Sequence, residues 1–320
     1  METTIRSNSA LYVDAGYLIA AAATRLTGSS FRHGVEVDYA HMLADLIKFV
    51  ESRSGLPILR VYWYDAARDG NATPTQEAIA LLPKIKLRLG RIGVEGEQKG
   101  VDLRIGLDMV GHSRNGAVDT MYLLSGDDDL TEAVEEAQAQ GVQVIVLAVP
   151  TRAGVRHGVS RHLMLAADDL EVLDAGVLDT SVRKASSVSV VAASRPPASI
   201  VAPQPSPADI ARESTFIPLA RPAVEHTPTV AHSSLTATSQ HDLAAFSSTM
   251  EQVATKTYDA WATAASDAQK EELRAGRPSI PRDLDRALLV DLSEAIGEYT
   301  LSDAVRVNLR AEFWDAVGRL

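Results

Sequence analysis

The chain of 320 residues contains no cysteine. This absence excludes disulfides, thiolate zinc sites, iron–sulfur clusters and cysteine nucleophiles. A reducing compartment is permitted, and we expect a cytoplasmic protein. The short apolar stretch near the N-terminus is interrupted by Asp14, and no stretch approaches the ~18 apolar residues that a membrane-spanning helix needs. We therefore expect neither a signal peptide nor a transmembrane helix.

The sequence also lacks several motifs that mark common enzyme classes. It has no GxxxxGK[ST] phosphate loop, no GxGxxG turn, no GxSxG elbow and no HExxH pair. An ATPase, a dinucleotide-dependent enzyme and a serine hydrolase are therefore disfavoured. Positive charge is scarce as well, since 31 Lys and Arg stand against 42 Asp and Glu, for a net charge of −11. A protein that only coats nucleic acid should be basic, so this balance favours one that concentrates carboxylates for a cation.

Hydrophobic periodicity divides the first half of the chain into alternating strands and helices. Short β-branched and aromatic runs predict strands, and stretches with helical spacing between them predict helices. The predicted strands cover residues 10–13, 58–66, 118–126, 142–149 and 170–174. This alternation predicts a parallel α/β sheet with helices on both faces, in which ligands bind at the carboxyl ends of the strands.

Composition predicts three regions along the chain. We expect a folded α/β domain over residues 8–177, a flexible Ala/Ser/Pro-rich linker over 178–245 and a small helical domain over 246–320. In the last region, an apolar stripe follows a candidate N-cap at Ser302; its residues are Leu301, Val305, Leu309 and Phe313. A winged-helix-like module is one alternative for this domain. A protein-interaction or dimerisation module is another.

Carboxylates follow two of the predicted strands and begin one predicted helix. Asp14 follows the first strand, Asp102 begins the helix in KGVDLRIGLD, and Asp127 opens a run of three acids after the strand MYLLSG. If the two strands are neighbours, these acids share one edge of the sheet. Crowded carboxylates repel each other, and a bound Mg²⁺ or Mn²⁺ would relieve that repulsion. A single Asp at such a turn is more often a helix cap, but the three together favour a metal site.

Three segments in fixed order carry a resemblance to a known family. The segments YVDAGYL, QKGVDLRIGLDM and YLLSGDDDLTEAVEEAQAQGVQVIVLAV resemble the NYN domain, which belongs to the PIN-like nucleases and includes the LabA-like bacterial proteins. The resemblance covers about residues 8–175. It implies a PIN-like three-layer α/β/α sandwich with a mainly parallel sheet. It also implies acidic residues that hold Mg²⁺ or Mn²⁺ and endonuclease activity, mostly on RNA.

The resemblance assigns roles to individual acids. Asp14, Asp102 and Asp127 match the family's metal-binding acids, and Asp129 matches a further catalytic acid in the SGDxD motif. Asp128 falls on that motif's variable position, where we expect it to be exposed. Six residues after Asp102, Asp108 lies about 120° round the helix, so it is a weaker candidate for the same site.

The chain departs from the family pattern at two positions. Many members have Asn where this chain has Tyr17, and Phe where it has Leu130. An Asn at the first position could hold a metal-bound water or a phosphate. The presence of Tyr17 therefore puts metal geometry or substrate choice in doubt. Neither change removes an acid, so activity stays expected.

A few other side chains are candidates for substrate binding. Ser125 precedes the acid run and could contact a phosphate, although an ordinary turn residue is an equal interpretation. Lys99 could hold a phosphate beside the KGVD motif. In KIKLRLGR, Lys86 and Arg88 could track a phosphate backbone, but the alternation of basic and apolar residues is more typical of a half-buried edge strand.

Together these features predict a metal-dependent endoribonuclease that hydrolyses RNA, single-stranded or structured, and leaves a 5′-phosphate and a 3′-hydroxyl. The first alternative is a catalytically silent NYN domain that binds RNA or a protein partner. The second is a different Mg²⁺-dependent phosphate-ester hydrolase. The C-terminal domain could bind a protein partner or mediate self-association.

Overall fold

The computed structural model describes residues 7–92, 98–186, 238–297 and 301–319; within these ranges, the side chains of residues 69, 92, 98, 99 and 238–245 are not described. In this part of the chain, no helix is long and apolar enough to cross a membrane. Of the predicted linker over residues 178–245, residues 187–237 lie outside the described residues. Its two ends are described, and they contribute a short strand over Val182–Lys184 and the start of a helix at residue 238 rather than a flexible segment.

Nine strands and eleven helices form in the described residues. The strands are β1 Ser9–Asp14, β2 Val35–Val37, β3 Ile58–Ala67, β4 Ile85–Ile92, β5 Gln98–Lys99, β6 Thr120–Leu124, β7 Gln143–Ala148, β8 Asp169–Val172 and β9 Val182–Lys184. The helices are α1 Ala15–Thr27, α2 Tyr39–Ser54, α3 Pro74–Ala80, α4 Val101–Arg114, α5 Thr131–Ala139, α6 Arg161–Ala166, α7 Ala175–Asp179, α8 Thr238–Ala264, α9 Asp267–Ala275, α10 Arg282–Ile296 and α11 Asp303–Arg319.

The main sheet has seven strands in the order β5-β4-β3-β1-β6-β7-β8. Six of these strands are parallel, and only the two-residue β5 runs antiparallel, beside β4. The chain first builds outward from β1 through β3 to β4. It then returns to the other side of β1 and builds through β6 and β7 to β8. The strand order therefore reverses between β1 and β6, and the predicted mainly parallel α/β fold is confirmed.

Alternate residues of the central strands pack into two separate cores. Leu11, Val13 and Trp63 face the layer that contains α1, α2 and α7. Tyr12 and Tyr64 face the opposite layer, which contains α4, α5 and α6. All five side chains are buried, so the three-layer arrangement is confirmed. The strand aromatics belong to the core and are not a surface for stacking on bases.

The first domain continues beyond residue 177, where the composition change places its end. Strand β9 pairs antiparallel with β2 and forms a small second sheet. Ser181 also accepts a hydrogen bond from the backbone N–H of Asp38 through its carbonyl, at 2.8 Å. Sequence periodicity misses both strands because each has only three residues, too few to show an alternating pattern.

The C-terminal part consists of the four helices α8 to α11. The predicted apolar stripe is buried in their common core, together with Trp314; its residues are Leu301, Val305, Leu309 and Phe313. Ser302 accepts a hydrogen bond from the backbone N–H of Val305 at 3.4 Å, as expected of an N-cap. Within residues 238–297 and 301–319 there is no strand, so the described part of this domain lacks the wing of a winged helix.

The helical domain packs against the segment that follows α1. Phe31 belongs to the first domain in sequence, but its side chain is 5% exposed and lies in the core of the helical domain. Next to it, the backbone N–H of Ser30 donates to both carboxylate oxygens of Asp291 on α10, at 2.9 and 3.2 Å. Asp291 is itself buried and also accepts from Thr257 at 3.2 Å. An apolar anchor and a buried hydrogen-bond network thus join the two domains.

The apolar anchor gives a direct test of this junction. We expect Phe31→Ala to remove about 3–5 kcal/mol of stability, because it leaves a cavity in the helical core. Urea unfolding and limited proteolysis would follow the loss, and the helical domain should become the more protease-sensitive part. Leu165→Ala is the control, since Leu165 is 71% exposed and should change stability by less than ~0.5 kcal/mol. Unfolding of Phe31→Ala at the wild-type urea concentration would contradict the described junction.

Candidate active site

The carboxyl ends of β1 and β6 meet at the point where the strand order reverses. The two strands are parallel neighbours, and Val13 pairs with Leu124 at the last paired position. Asp14 and Ser125 therefore follow side by side. In open α/β sheets, ligands bind in the crevice at this position. The condition for the acids to share one edge of the sheet, that these two strands are neighbours, is therefore met.

Asp14 both caps a helix and faces the crevice. Its Oδ1 accepts from the backbone N–H groups of Gly16 at 2.8 Å and Tyr17 at 3.2 Å, which stabilises the start of α1. Its Oδ2 lies 3.5 Å from the hydroxyl of Ser125. Asp14 is therefore both a helix cap, through Oδ1, and a cleft residue, through Oδ2.

Ser125 is fully buried between the first acid and the acid run. Its hydroxyl is within 3.5 Å of the carboxylate of Asp14 and accepts from the backbone N–H of Asp127 at 3.3 Å. The side chain thus fixes Asp14 relative to the loop after β6. This arrangement is neither an ordinary exposed turn nor an open phosphate contact.

Gly126 is required by the close approach of another loop. A Cβ at this position would lie 1.8 Å from the carbonyl oxygen of Gly158 and 2.9 Å from Cε2 of Tyr17. The loop is held there, since the carbonyl of Gly126 accepts from the backbone N–H of Ser160 at 3.0 Å. No other residue fits without moving backbone, so the glycine of the SGD motif follows from packing.

The three acids after Gly126 point in different directions. Asp127 is partly buried and lines the cleft, and its Oδ1 accepts from the backbone N–H of Asp129 at 3.1 Å. Asp128 is exposed and accepts from the hydroxyl of Ser160 at 2.6 Å, with His162 Nδ1 at 3.1 Å. Asp129 is exposed but close enough to raise the pKa of Asp102. Asp128 therefore stabilises the neighbouring loop and Asp127 lines the cleft, while Asp129 lies outside the cleft lining.

Asp102 approaches the same cleft from the first turn of α4. The chain enters this helix through Gly100 at φ 76°, a left-handed conformation that favours glycine. Asp102 is partly buried. Burial raises its pKa most, and the negative charges of Asp127 and Asp129 raise it further. The helix in the KGVD motif thus brings a third acid to Asp14 and Asp127.

The acids also affect the ionisation of Asp14. Burial raises the pKa of Asp14 to about 6, and the charge on Asp102 adds to this effect. The hydrogen bonds from Tyr17 and Gly16 and the positive charge of Arg32 act in the opposite direction. A carboxylate whose pKa is raised by burial and by a neighbouring negative charge favours a bound cation, which would lower that pKa.

A cleft of about 1160 Å³ surrounds this cluster. Asp14, Asp102 and Asp127 lie along its first-domain wall. Other charged side chains line it too, and sequence analysis missed them: Arg32, Asp65, Arg68, Arg282, Asp283, Arg286 and Glu294. Four of these belong to α10 of the helical domain and are separated from Asp14 by more than 260 residues. No local sequence pattern could have grouped them.

The remaining substrate-binding candidates are distributed unevenly. Tyr17 lines the cleft, but its hydroxyl donates to the carbonyl of His157 at 2.7 Å and accepts from the backbone N–H of Val149 at 3.3 Å. Tyr17 therefore acts first as a support between loops. Lys86 is exposed on β4 and does not line the cleft. The side chain of Lys99 lies outside the described residues.

Arg88 and Asp108 form a pair away from the cleft. The guanidinium of Arg88 makes two contacts with the carboxylate of Asp108, at 2.8 and 2.9 Å, and the hydroxyl of Tyr64 donates to the same carboxylate at 2.9 Å. The structure does not bring Asp108 to the other acids. It also gives Arg88 a structural partner, so the edge-strand interpretation of this segment agrees with the geometry better than a phosphate track does.

A family model for the NYN domain matches residues 8–174. The chain belongs to the NYN domain family. The match begins just before β1 and ends at the residue that caps α7, so the NYN domain includes the entire seven-stranded sheet. The acids of the cleft that precede residue 174 all belong to it. Because NYN domains are PIN-like, this membership supports a nuclease-type function.

A relative of this NYN protein occurs in Sinorhizobium fredii (strain NBRC 101917 / NGR234). It carries the name "Uncharacterized protein y4oD" and is 46% identical over 74 residues. The aligned segment covers 23% of this chain and 35% of the relative. The chain therefore spans only about a third of that protein's length in the match, and the relative's name assigns no activity.

The donor chemistry of the NYN cleft fits a divalent cation only in part. Asp14, Asp102 and Asp127 provide the carboxylate oxygens that Mg²⁺ and Mn²⁺ prefer. However, among residues 7–92, 98–186, 238–297 and 301–319, no three His, Asp or Glu side chains are arranged to hold a metal ion by themselves. Mg²⁺ commonly binds through one or two carboxylates, with waters and substrate phosphate completing the shell. The residues present fit that kind of site better than a closed cage.

The raised pKa of Asp14 predicts a pH-dependent cost to folding. Its pKa is about 6 when folded, against an ordinary value near 4, so the folded state binds more protons between these values. The contribution of Asp14 to the free energy of unfolding therefore falls as pH rises from about 4 to 6, and this loss persists above pH 6. We expect Asp14→Asn to be more stable than wild type by about 1–3 kcal/mol at pH 7.5 in EDTA, because Asn keeps the helix cap.

Urea unfolding at pH 4 and pH 7.5 would measure this effect. The advantage of Asp14→Asn should disappear at pH 4, where the wild-type carboxyl is protonated. Asp38→Asn is the matched control, because Asp38 caps α2 through the N–H of His41 but is exposed and does not line the cleft. An equal stability difference at both pH values would show that the charge of Asp14 carries no penalty.

Proposed function

We propose that this NYN domain is a metal-dependent endoribonuclease. The observation that carries the proposal is the convergence of Asp14, Asp102 and Asp127 at the strand-order reversal, where burial and mutual repulsion raise the pKa of Asp14 and Asp102. Such a cluster is costly unless a cation neutralises it. Membership of a PIN-like family supports a phosphodiester as the substrate.

Each side chain has a defined part in the proposed reaction. Asp14, Asp102 and Asp127 hold Mg²⁺ or Mn²⁺, directly or through water, and Asp129 adds negative charge beside them. Ser125 fixes the distance between Asp14 and the loop that carries Asp127. When bound, the metal lowers the pKa of a water and stabilises charge on the phosphoryl oxygens. In-line hydrolysis by this route leaves a 5′-phosphate and a 3′-hydroxyl.

RNA is the proposed substrate, and the cytoplasm is the proposed compartment. The cleft, at about 1160 Å³, is large enough to accept a strand rather than only a phosphate group. Four arginines line it, Arg32 and Arg286 among them, and they place positive charge beside its six carboxylates. Single-stranded DNA is the competing polymer, and the experiment below includes it.

One observation favours a second candidate function, a silent NYN domain that binds RNA or a partner. Tyr17 replaces the family's Asn, and its hydroxyl is already hydrogen-bonded to the backbone at His157 and Val149. It is therefore not free to hold a metal-bound water in the way that an Asn could. The two candidates differ in turnover but share the cleft.

The decisive experiment is cleavage of end-labelled single-stranded RNA, structured RNA and single-stranded DNA with Mn²⁺, Mg²⁺ or EDTA. We expect internal cleavage that requires metal and that falls at least 100-fold in Asp127→Asn, since each acid would act only with the others. Asp38→Asn should cleave like wild type, because it keeps a capping role away from the cleft. The 5′ ends of the products should be phosphorylated.

Other results would lead to different conclusions. Metal-independent RNA binding without cleavage in any variant would favour the silent binding module. Hydrolysis of small phosphomonoesters without cleavage of long RNA would favour a different phosphate-ester hydrolase. Loss of cleavage in Asp38→Asn to the same extent as in Asp127→Asn would remove the support for the acid cluster.

A further inference from the structure

One face of α10 forms the second wall of the cleft. Its cleft-lining residues lie one, three or four positions apart, which places them on one side of a helix; they are Arg282, Asp283, Arg286, Ala287, Val290 and Glu294. The opposite side carries Leu284, Leu288 and Leu292, which are buried in the helical core. The helix therefore presents a mainly polar face to the acid cluster while its apolar face holds it in the C-terminal domain.

The position of this wall is fixed by contacts on both sides of the cleft. Asp291 on α10 accepts from the backbone N–H of Ser30, and Glu294 Oε1 lies 3.3 Å from Nε2 of His157, which is buried. A Cβ added at Gly158 would lie only 3.0 Å from the same Glu294 oxygen, so the loop backbone is close to α10 here. These contacts tie α10 to the segment after α1 and to the loop that packs on Gly126. The wall thus belongs to the same packed unit as the acids.

Two arginines line the cleft from different domains. Arg32 comes from the segment after α1 and is partly buried, whereas Arg286 comes from α10 and is exposed. Burial lowers the pKa of Arg32 most, and the positive charge of Arg286 lowers it next. The negative charges of three carboxylates raise it; they are Asp14, Asp65 and Asp283. The two guanidinium groups therefore repel each other, although carboxylates lie near Arg32. The arginines also act on the acids, since Arg32 lowers the pKa of Asp14 and Arg286 lowers that of Asp102.

An anion between the two guanidinium groups would relieve this repulsion. Guanidinium groups bind phosphate oxygens through paired N–H donors, which makes arginine well suited to phosphate contacts. A phosphodiester strand brings such an anion to the cleft, and its charge would otherwise be repelled by the carboxylates. The same strand can meet a cation at the acids and the arginines on the facing walls.

We propose that Arg32 and Arg286 together clamp one backbone phosphate of the substrate strand, so that the C-terminal helical domain completes the nucleic-acid site of the NYN domain. This inference rests on the proposed function for the identity of the substrate. It assigns to the helical domain a direct part in substrate binding. The clamp positions the strand, and the acids remain the groups that act on the scissile bond.

The test measures binding separately from cleavage. In the full chain with Asp127→Asn to prevent turnover, a fluorescent single-stranded RNA 12-mer is titrated by anisotropy in Mg²⁺ at several salt concentrations. We expect Arg286→Ala to weaken binding roughly 10- to 100-fold, the range for losing a charge-assisted hydrogen-bonded contact. The slope of log Kd against log salt should fall by about 0.7, as for one lost phosphate contact to a single strand.

The matched control is Arg306→Ala. Arg306 is exposed on α11 in the same helical domain, and it does not line the cleft. We expect it to leave affinity and salt slope unchanged. Arg286→Lys should recover only part of the affinity, because a lysine cannot make the paired contact. Arg32→Ala and the variant with both arginines replaced complete a double-mutant cycle. Non-additive losses of binding free energy in this cycle indicate that both residues hold the same phosphate.

The outcomes separate this inference from the proposed function. Wild-type affinity and salt slope in Arg286→Ala would overturn the clamp, whether or not the wild-type chain cleaves RNA. Tighter binding or faster cleavage in Arg286→Ala would also overturn it, by showing that the guanidinium obstructs the acids. Loss of binding in Arg286→Ala, with no cleavage by the wild-type chain, would support the clamp and reject the nuclease. Equal thermal unfolding of Arg286→Ala and Arg306→Ala would show that the loss is not misfolding.

Discussion

The parallel pairing of β1 with β6 is the constraint on which the rest of the site depends. Because Val13 lies opposite Leu124, the residues that follow these strands emerge together. A shift of one residue in this register would turn Asp14 towards a different layer, since side chains alternate between faces. The buried rows on both sides of the sheet oppose such a shift, because each row fills a separate hydrophobic core. Core packing therefore fixes the position of a polar site that contributes nothing to the core.

Local sequence signals were sufficient for the three acids on the first-domain wall of the cleft, but not for Arg32, Asp65 and Arg68 on the same wall. Asp14 and Asp127 each end a buried strand, and Asp102 begins a helix, so their approach follows from the rule for parallel sheets. The same signals were insufficient for Asp108. Helical spacing placed Asp108 on a different face of the helix from Asp102. Only the structure shows that it pairs with Arg88 and Tyr64. A salt bridge between a strand and a helix depends on packing geometry that spacing along the chain does not encode.

The second wall could not be predicted for a different reason. Arg286 and Glu294 are remote from the family motifs in sequence, and α10 reads as an ordinary amphipathic helix. Its polar face is typical of a surface helix until the partner surface is known. The docking of α10 depends on Phe31 and on the backbone of Ser30, neither of which carries a motif. Four arginines line the cleft beside six carboxylates, a local mixture of charges that the net charge of the whole chain does not reveal.

The burial of Phe31 in a core built from the other end of the chain has a practical consequence for work on fragments. A polypeptide that stops at residue 186 keeps every strand of the seven-stranded sheet, yet it would present this phenyl ring to water. It would also leave the N–H of Ser30 without the carboxylate of Asp291. An isolated NYN-domain fragment is thus expected to self-associate through the surface around Phe31. A polar replacement at Phe31 is the change that would make such a fragment suitable for solution work.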